Sequence, residues 1–504
     1  MTAGHVIRPG SIRRPAKGFG QRQGRVAASA VALALLAQGL GGSGKALAQT
    51  PPPIDLTRQG AMGQPSPAPN PAPNSTATPR ARPSAPAFAP PTAAVGTPVI
   101  DLPQPVATPA PPPPLPPPLP HWSMADAQAL LTQIQSIGRE GLIARDYEPA
   151  SLAAAIASGE GPGLDAAATR LFTWLAEDLR DGRTPMDARV QWFVVDPDAD
   201  ALPIRPLLDG ALTSHDIPGA LARFEPTTPD YAELRESLTH ARTPAEAALI
   251  RVNMDRWRWL GRDLGLIHLE VNVPEQILRL AVQDKIITTY RAIVGKPGRT
   301  ATPQLSATVQ NVVFNPTWTV PQSIVKGEGL GAKLLASPAS AARQNYKVTK
   351  TESGMVIVVQ QPGKGNALGV MKLDMPNPHA IYIHDTPNRA LFNLSNRALS
   401  HGCIRAERAD ELGMTMAMLG AELTREQGIE YTHSGKYTKV PMTQTFPVYV
   451  TYFTIARDVA GQMRNFADIY GRDAPVLASF ASPRQLHNGQ RVSKEAVVKL
   501  DNPL

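Results

Sequence analysis

Cysteine is nearly absent from this chain of 504 residues, which contains a single one, Cys403. One cysteine excludes an internal disulfide, because that bond needs two. Three interpretations remain: a buried and inert small hydrophobe, a link to another chain, or a working thiol. An exported protein meets an oxidising compartment in which a spare thiol is a liability, so the residues around Cys403 have to decide between the three.

Long apolar runs are also scarce. The run at residues 26–40 follows a positively charged start, is rich in alanine and is too short for a comfortable membrane span. Residues 46–48, Ala-Leu-Ala, then match the small-x-small rule for a cleavage site. We therefore expect residues 1–48 to be a signal peptide for export to the periplasm, with an uncleaved inner-membrane anchor as the alternative.

The chain lacks any basic run interleaved with aromatic residues, although its formal net charge is +8. Lysine and arginine are spread along the sequence, which is typical of a solvated surface. We therefore expect no nucleic-acid partner for a chain that is exported.

Proline, by contrast, is abundant, with 52 residues that cluster near the N-terminus. Residues 49–121 are rich in proline and alanine, and we expect them to be a disordered or polyproline-like linker. Helical periodicity follows at residues 122–262. Ser123 and Asp126 predict one helix start, and Thr243 followed by Pro244 predicts another.

The period changes from helical to alternating near residue 266. Ile267, Leu269, Val271 and Val273 alternate with polar residues, which predicts a half-buried strand. We expect a β-rich domain over residues 263–475, with one clear helix and a short capping segment near 322–365. Residues 476–504 are expected to form a C-terminal tail, and the fold class is α+β.

The densest reactive cluster is Ser-His-Gly-Cys-Ile-Arg at residues 400–405. A thiol attacks only as the thiolate, so Cys403 needs a base or a positive environment. Arg405 and the start of a predicted helix downstream both favour the anionic sulfur. Gly402 lets the backbone approach a substrate closely, and the amides around Cys403 could form an oxyanion hole.

The base is expected to come from another strand. His384 follows an apolar run, Ile-Tyr-Ile, that would deliver it to the domain surface, beside Asp385. A strand-end histidine next to a loop cysteine is the usual arrangement of a Cys–His pair. The alternative is that His384 merely ends a strand near a turn, and spacing alone does not decide between the two.

These two segments together resemble the motif of the YkuD-type L,D-transpeptidases. That motif is a histidine, a spacer, and then Ser/Thr-His-Gly-Cys; here fifteen residues lie between His384 and Ser400. Further segments resemble the YcbB-like branch of the family, at residues 253–260, 293–297, 314–321, 366–369 and 468–473. The resemblance implies a mainly β catalytic domain preceded by a mostly helical scaffold domain.

The resemblance also implies a chemistry. Cys403 would attack the carbonyl between the third residue of a peptidoglycan stem tetrapeptide and its terminal D-Ala, and His384 would take the thiol proton. Ser400, His401 and Gly402 would shape the pocket, and Arg405 would order the loop or bind a stem-peptide carboxylate. The implied partners are peptidoglycan stem peptides, other cell-wall synthesis enzymes and carbapenems that acylate Cys403; no cofactor or metal is implied.

Several alternatives stay open within and beyond this family. The acceptor amine is undetermined, so 3-3 crosslinks, 1-3 crosslinks, attachment of a protein to the wall, or release of D-Ala by an L,D-carboxypeptidase all fit. A non-catalytic wall-binding protein and a zinc site formed by His384, His401 and Cys403 are more distant alternatives. A papain-like protease is disfavoured because its cysteine precedes its histidine in the chain.

Overall fold

The computed structural model describes residues 118–194, 201–486 and 492–496. The predicted signal peptide at 1–48 and the predicted linker up to residue 117 lie outside the described residues. Among the helices that are described, none is long and apolar enough to cross a membrane.

The first part of the described chain is helical. Its α-helices are α1 Met124–Ser136, α2 Pro149–Ala157, α3 Pro162–Asp181, α4 Ile204–Ser214, α5 Ile217–Ala222, α6 Pro229–Thr239 and α7 Pro244–Arg258. Short 3-10 turns lie at Ile137–Glu140, Ala144–Tyr147 and Met186–Ala188. Their apolar faces enclose a core that includes Trp122, Leu130, Phe172 and Leu175, all of them fully buried.

The two helix starts predicted from the sequence are confirmed, and both are capped by a side chain. The hydroxyl of Ser123 accepts a hydrogen bond from the Asp126 amide at 3.1 Å. The hydroxyl of Thr243 accepts one from the Glu246 amide at 3.1 Å. Each bond satisfies an amide that the first helical turn leaves without an intrahelical partner.

The β-rich part follows α7, except for β1, which lies between α3 and α4 in the chain. Its main sheet contains β1 Trp192–Phe193, β2 Ile267–Asn272, β3 Ile277–Val282, β4 Lys285–Gly295, β5 Gln304–Phe314, β9 Met371–Asp374, β10 Ile383–His384, β11 Ala398–Ser400, β12 Ile404–Ala406 and β13 Thr438–Thr451. The strand order is β5-β13-β2-β3-β4-β12-β10-β9, and β9 pairs with β5. That last pairing closes the sheet into a barrel.

Two helices pack beside the barrel, α11 Ala409–Ala421 and α12 Arg425–His433. The sequence predicted the first of them, with Leu412 and Met416 now fully buried. The second was not predicted because its only regularly spaced signal is the capping box formed by Thr424 and Gln427.

A small capping subdomain interrupts the barrel between β5 and β9. It comprises β6 Trp318–Thr319, α8 Gln322–Gly327, α9 Leu330–Ala336, α10 Pro338–Arg343, β7 Tyr346–Lys350 and β8 Val356–Gln360. Val320, Val325, Leu334 and Val358 form a core of its own. The cap is therefore a folded unit of helices and a three-stranded sheet, and it lies where the sequence predicts a short capping segment, near residues 322–365.

The scaffold helices and the barrel share a second core. The Trp257 ring of α7 stacks on Phe453 beyond β13, with 4.5 Å between the ring centroids. The Arg256 guanidinium donates a 2.6 Å hydrogen bond to the carboxylate of Asp473. Both contacts are buried, so the two parts are packed against each other through apolar and charged groups alike.

The C-terminal segment differs from the expected tail at residues 476–504. A helix, α13 Asp473–Ala481, follows the small hairpin of β14 Ile455–Arg457 and β15 Met463–Asn465. Val476 and Phe480 are buried one helical turn apart, and Arg484 is paired with Asp178 of α3 at 2.9 Å. The prediction of a tail is wrong for residues 476–484, because two apolar residues were enough to fix a short helix on the shared core.

Candidate active site

Strands β10 and β12 bring the predicted nucleophile and the predicted base together. The strands are parallel, with Ile383 opposite Ile404 and His384 opposite Arg405. Because side chains alternate along a strand, His384 and Arg405 point to the same face, and so do the residues two positions earlier, Tyr382 and Cys403. One face of the sheet therefore carries a thiol, an imidazole, a phenol and a guanidinium.

Cys403 lies in the turn just before β12 and is half-buried. Its Sγ is 3.8 Å from the carbonyl oxygen of Ala380, and both the amide and the hydroxyl of Tyr382 hydrogen-bond to the sulfur. Burial raises the pKa of the thiol, while the Tyr382 bonds and then Lys372 and Arg405 act to lower it. The effect of burial on the pKa is the largest, so the resting thiol is protonated at neutral pH.

His384 is buried at the end of β10, with its ring held in one orientation. Its Nδ1 lies 2.5 Å from the backbone carbonyl oxygen of Asp385, which fixes the proton on Nδ1 and leaves Nε2 as the acceptor. Burial lowers the pKa of His384 to about 3, with Arg405 and Lys372 acting in the same direction. The imidazole is therefore neutral at pH 7 and able to accept a proton.

Asp385 is not the third member of a catalytic triad. Its side chain alternates to the other face of the strand and accepts a 2.9 Å hydrogen bond from the Val370 amide. Arg389 pairs with the same carboxylate at 3.0 Å. Gly369, with φ +62°, makes room for it, since a Cβ there would lie 2.2 Å from Asp385 Oδ2. Asp385 contributes its backbone carbonyl to His384 and uses its side chain to hold the neighbouring loop.

Two cations border the thiol. Lys372 of β9 is the cross-strand neighbour of His384, and its Nζ lies 4.4 Å from the centroid of the Tyr382 ring. The Nε of Arg405 is buried and finds no hydrogen-bond acceptor among the described residues. Burial lowers the pKa of Arg405, which shows the cost of holding this charge without a carboxylate partner. The arrangement favours negative charge on sulfur or on a bound anion.

Ser400 and Gly402 shape the loop that presents Cys403. The Ser400 hydroxyl donates a 2.6 Å hydrogen bond to the Cys403 carbonyl and accepts one from the Gly402 amide at 3.1 Å. Gly402 has φ +120°, a conformation that glycine adopts without strain. The Ile404 amide donates to the Tyr382 carbonyl at 3.0 Å. The amides on both sides of Cys403 are therefore engaged within the chain.

A second layer of polar residues fixes the same loop from the barrel side. Thr302 is fully buried; its hydroxyl donates to the Gly402 carbonyl at 2.8 Å and accepts from the Gly295 amide at 2.8 Å. The Tyr470 hydroxyl donates to the Gly295 carbonyl at 2.6 Å, and Arg472 donates to the Thr302 carbonyl at 3.2 Å. The C-terminal segment thus supports the loop of Cys403 through Thr302.

His401 faces the capping subdomain. Its Nε2 lies 3.0 Å from a carboxylate oxygen of Glu328, in the loop between α8 and α9, and both side chains are about half exposed. His401 therefore connects the loop of Cys403 to the cap. In the part of the chain that is described, no group of three or more histidine, cysteine, aspartate or glutamate residues is arranged to hold a metal ion.

Sequence reasoning did not identify Tyr382, Lys372 or Thr302 as parts of the site. Tyr382 lies between the two apolar residues of the run before His384, where it was interpreted as part of the strand. Lys372 and Thr302 carry no local motif, and only the strand pairing and the turn after β4 bring them to Cys403. Tyr470 and Arg472 lie in the segment at 468–473, where the signal was the family resemblance alone.

Two family matches cover most of the described chain. Residues 267–415 match the family described as the YkuD L,D-transpeptidase catalytic domain. Residues 119–238 match the family described as a scaffold domain. All six predicted site residues, at positions 384 and 400–405 without Ile404, lie inside the first match.

Parts of this chain are similar to individual proteins. A putative L,D-transpeptidase of Haemophilus influenzae is 34% identical over 221 residues, which is 41% of this chain and 44% of that protein. An L,D-transpeptidase structure from Mycobacterium smegmatis is 13% identical, with a TM-score of 0.19, over 38% of this chain and 60% of that one. An L,D-transpeptidase in complex with imipenem is 14% identical, with a TM-score of 0.18, over the same shares. The chain spans less than half the length of the curated relative that it matches.

Proposed function

We propose that this chain, which contains a YkuD L,D-transpeptidase catalytic domain and a scaffold domain, is a peptidoglycan L,D-transpeptidase with Cys403 as nucleophile and His384 as base. The single observation that carries the assignment is the shared face of β10 and β12. There a half-buried thiol lies beside an imidazole whose Nδ1 is fixed by the Asp385 carbonyl. An acyl-transfer site needs a nucleophile, a neutral base and a group that orients the base, and all three are present.

The first half-reaction forms an acyl-enzyme. Cys403 Sγ attacks the carbonyl carbon that joins the third stem residue to the terminal D-Ala, and the thiol proton moves to Nε2 of His384. The C–N bond then breaks, and His384 returns the proton to the departing amine of D-Ala. The oxyanion of the intermediate is stabilised by the Cys403 amide, and Arg405 and Lys372 stabilise the developing negative charge on sulfur.

The second half-reaction releases the enzyme. A neutral acceptor amine attacks the thioester carbon, the C–S bond breaks, and the amine proton passes through His384 to sulfur. The products are a new amide between two stem peptides and the original neutral thiol and imidazole. The 3-3 crosslink, between the third residues of two stems, is the outcome we propose; a 1-3 crosslink differs only in the amine that enters.

The neutral resting state of Cys403 and His384 supports a proton transfer that accompanies the attack on the carbonyl. The pKa of His384 is lowered to about 3 and that of Cys403 is raised, so neither group is ionised before substrate arrives. The base therefore acts while the carbonyl is attacked, and a preformed ion pair is not required. A β-lactam is a strained acyl donor, and we infer that a carbapenem acylates the same sulfur.

The site of action is part of the same proposal. We infer from residues 1–48 that the chain is exported to the periplasm, where it remodels the cell wall. Stem peptides are its substrates, and other cell-wall synthesis enzymes, which supply uncrosslinked stems, are its functional partners. The helical scaffold packed on the barrel through Trp257 and Arg256 would hold the catalytic domain in one orientation.

The test uses the purified chain with disaccharide-tetrapeptide. Mass spectrometry should find crosslinked dimers and free D-Ala, and it should find a carbapenem adduct on the intact protein. Because Cys403 is the only cysteine, Cys403→Ala should abolish the adduct and the dimers while circular dichroism shows the fold unchanged. Dimers formed by Cys403→Ala would overturn the assignment of the nucleophile. Release of D-Ala without dimers would favour the carboxypeptidase alternative.

A further inference from the structure

Gln191 connects the scaffold part of the chain to three other segments. It immediately precedes β1 and lies inside the match to the scaffold family. Its carbonyl oxygen accepts a hydrogen bond from the Gln304 amide at 3.0 Å, and its amide donates one to the Glu495 carboxylate at 2.9 Å. Its side-chain Oε1 accepts a third from the Arg472 guanidinium at 2.5 Å. One scaffold residue is therefore bonded to β5, to the residue before α13 and to the described C-terminal segment at 492–496.

The backbone of Gln191 has a conformation that favours glycine. Its φ is +51°, and it occupies the third position of a tight turn in which the Trp192 amide donates to the Arg189 carbonyl at 3.1 Å. Glycine or asparagine is the usual residue at such a position, because other side chains are strained there. Glutamine adds a long side chain at this cost, and that side chain is bonded to Arg472. The contact with Arg472 is therefore what glutamine provides and glycine could not.

Arg472 extends the contact towards the loop of Cys403. The same Nη2 that bonds Gln191 also donates to the Thr302 carbonyl at 3.2 Å. Arg472 is buried, and burial lowers its pKa to about 10. The guanidinium therefore remains charged at neutral pH, and both of these hydrogen bonds are charge-assisted.

Thr302 completes the connection to Cys403. Its hydroxyl donates a 2.8 Å hydrogen bond to the carbonyl of Gly402, the residue before Cys403. The turn that carries Thr302 is tightly packed against the end of β4, since a Cβ on Gly295 would lie 1.9 Å from the Thr300 carbonyl oxygen. Because there is no free space to absorb a shift, a displacement of the Thr302 backbone is passed to Gly402.

We propose that Gln191 is a positioning residue for the reaction of Cys403, and that the scaffold domain controls the rate of acylation through Arg472 and Thr302. This inference rests on the proposed transpeptidase function, in which Cys403 forms the acyl-enzyme. Gln191 fixes the guanidinium of Arg472, the guanidinium fixes the Thr302 carbonyl, and the Thr302 hydroxyl fixes the loop that carries the thiol. Because Gln191 acts through these two residues, it alters the rate of acylation and leaves the affinity for the acyl donor unchanged.

The first experiment compares Gln191→Met and Gln191→Gly with the wild-type chain. Methionine has a similar length but no acceptor for Arg472, whereas glycine removes the acceptor and also relieves the strain of the positive φ. Both variants should lower the rate constant of carbapenem acylation of Cys403 roughly tenfold, because a misplaced nucleophile loses its near-attack geometry. The carbapenem concentration that gives half of the maximal rate should stay at the wild-type value. Thermal unfolding of Gln191→Gly should occur close to the wild-type temperature, since the loss of a bond is offset by the relief of strain.

Gln283 provides the matched control. It also has a positive φ, +50°, and it is exposed in the turn between β3 and β4. Gln283→Met and Gln283→Gly should both be acylated at the wild-type rate. Wild-type acylation of Gln191→Gly would overturn the proposal. So would acylation rates that fall only in proportion to thermal stability across the four variants, since a merely structural contact predicts that result.

The second experiment tests the route from Gln191 to Cys403. Gln191→Gly combined with Thr302→Val should be acylated no more slowly than Thr302→Val alone, because the connection is already broken at Thr302. Losses that multiply in the double variant would show that the two residues act independently and would overturn the proposed route. A wild-type chain that forms no carbapenem adduct would overturn the proposed function and this inference with it. A wild-type chain that forms the adduct no faster than Gln191→Gly would overturn this inference alone.

Discussion

The hydroxyl of Thr302 donates a 2.8 Å hydrogen bond to the carbonyl oxygen of Gly402, the residue before the proposed nucleophile. The same hydroxyl accepts a hydrogen bond from the amide of Gly295 at the end of β4, so one buried side chain joins the barrel to the loop of Cys403. Tyr470 and Arg472 hold the Gly295 and Thr302 backbone in turn. The position of the thiol therefore depends on a segment almost seventy residues further along the chain than the nucleophile itself.

Replacing Thr302 by valine, which has the same shape, should disorder the loop. The Gly295 amide and the Gly402 carbonyl would both lose their partner, which costs about 1–3 kcal/mol of unfolding free energy. Acylation of Cys403 by a carbapenem should slow at least roughly tenfold, since a misplaced nucleophile loses its near-attack geometry. Stopped-flow acylation and urea unfolding measure the two effects. Thr349→Val, at an exposed position of β7, is the control, and equal behaviour of the two variants would contradict this role.

Ser400→Ala should weaken the same loop locally. The hydroxyl bonds both the Cys403 carbonyl at 2.6 Å and the Gly402 amide at 3.1 Å, and alanine can make neither bond. We expect a loss of about 1–2 kcal/mol in stability and slower acylation, with Ser400→Thr retaining most of both. Calorimetry and the rate of carbapenem adduct formation test this. An alanine variant as fast as the threonine variant would show that the hydroxyl does not order the loop.

The reactivity of Cys403 towards an alkylating reagent should depend on pH in a defined direction. Burial raises the thiol pKa, so the rate of iodoacetamide modification should still be rising above pH 8.5. Lys372→Met should shift the profile to higher pH, because a cation that favours the thiolate is removed, whereas Lys372→Arg should leave it near the wild-type position. A rate already constant at pH 6 would reveal a preformed thiolate–imidazolium pair and contradict the neutral resting state.

Protonation of His384 should destabilise the folded chain below neutral pH. Its folded pKa of about 3 lies below the unfolded value of about 6.5, so the unfolded state binds the proton first as the pH falls. The stability that His384 contributes is complete above pH 6.5 and is lost progressively towards pH 3. Between pH 6.5 and 5 the wild type should lose about 1–2 kcal/mol more than His384→Gln. Urea unfolding at several pH values measures this, and parallel curves would show that His384 is not buried as a neutral ring.

The helix Asp473–Ala481 should be essential for the contact between scaffold and barrel. Arg256 donates to the Asp473 carboxylate at 2.6 Å and to the Arg472 carbonyl at 2.9 Å, in a buried setting. Arg256→Met leaves Asp473 without its cation, which for a buried pair costs about 3–5 kcal/mol. Thermal unfolding should show a large loss of stability for Arg256→Met. Arg425→Ala, at the exposed first residue of α12, is the control and should show none. Wild-type stability in Arg256→Met would mean that water replaces the missing partner.

The structural features that depend on residues close together in the sequence were the ones that could be predicted. The caps at Ser123 and Thr243, the alternation that begins at Ile267, and the helix after Cys403 all depend on neighbours within a turn or a strand. The cluster at residues 400–405 and the spacing from His384 identified the family. The helix at Asp473–Ala481 was missed because its two buried residues, Val476 and Phe480, gave too short a pattern, and only the surface beneath them makes it fold.

The sequence by itself determined which reactive groups are available: one thiol, one strand-end histidine, and a motif that places fifteen residues between His384 and Ser400. The tertiary structure decided what surrounds them. Lys372, Tyr382 and Thr302 meet Cys403 only because β9, β10 and β12 pair in one register and the turn after β4 folds against Gly402. Local patterns fix the order of reactive groups, whereas their distances and pKa values depend on contacts between distant segments.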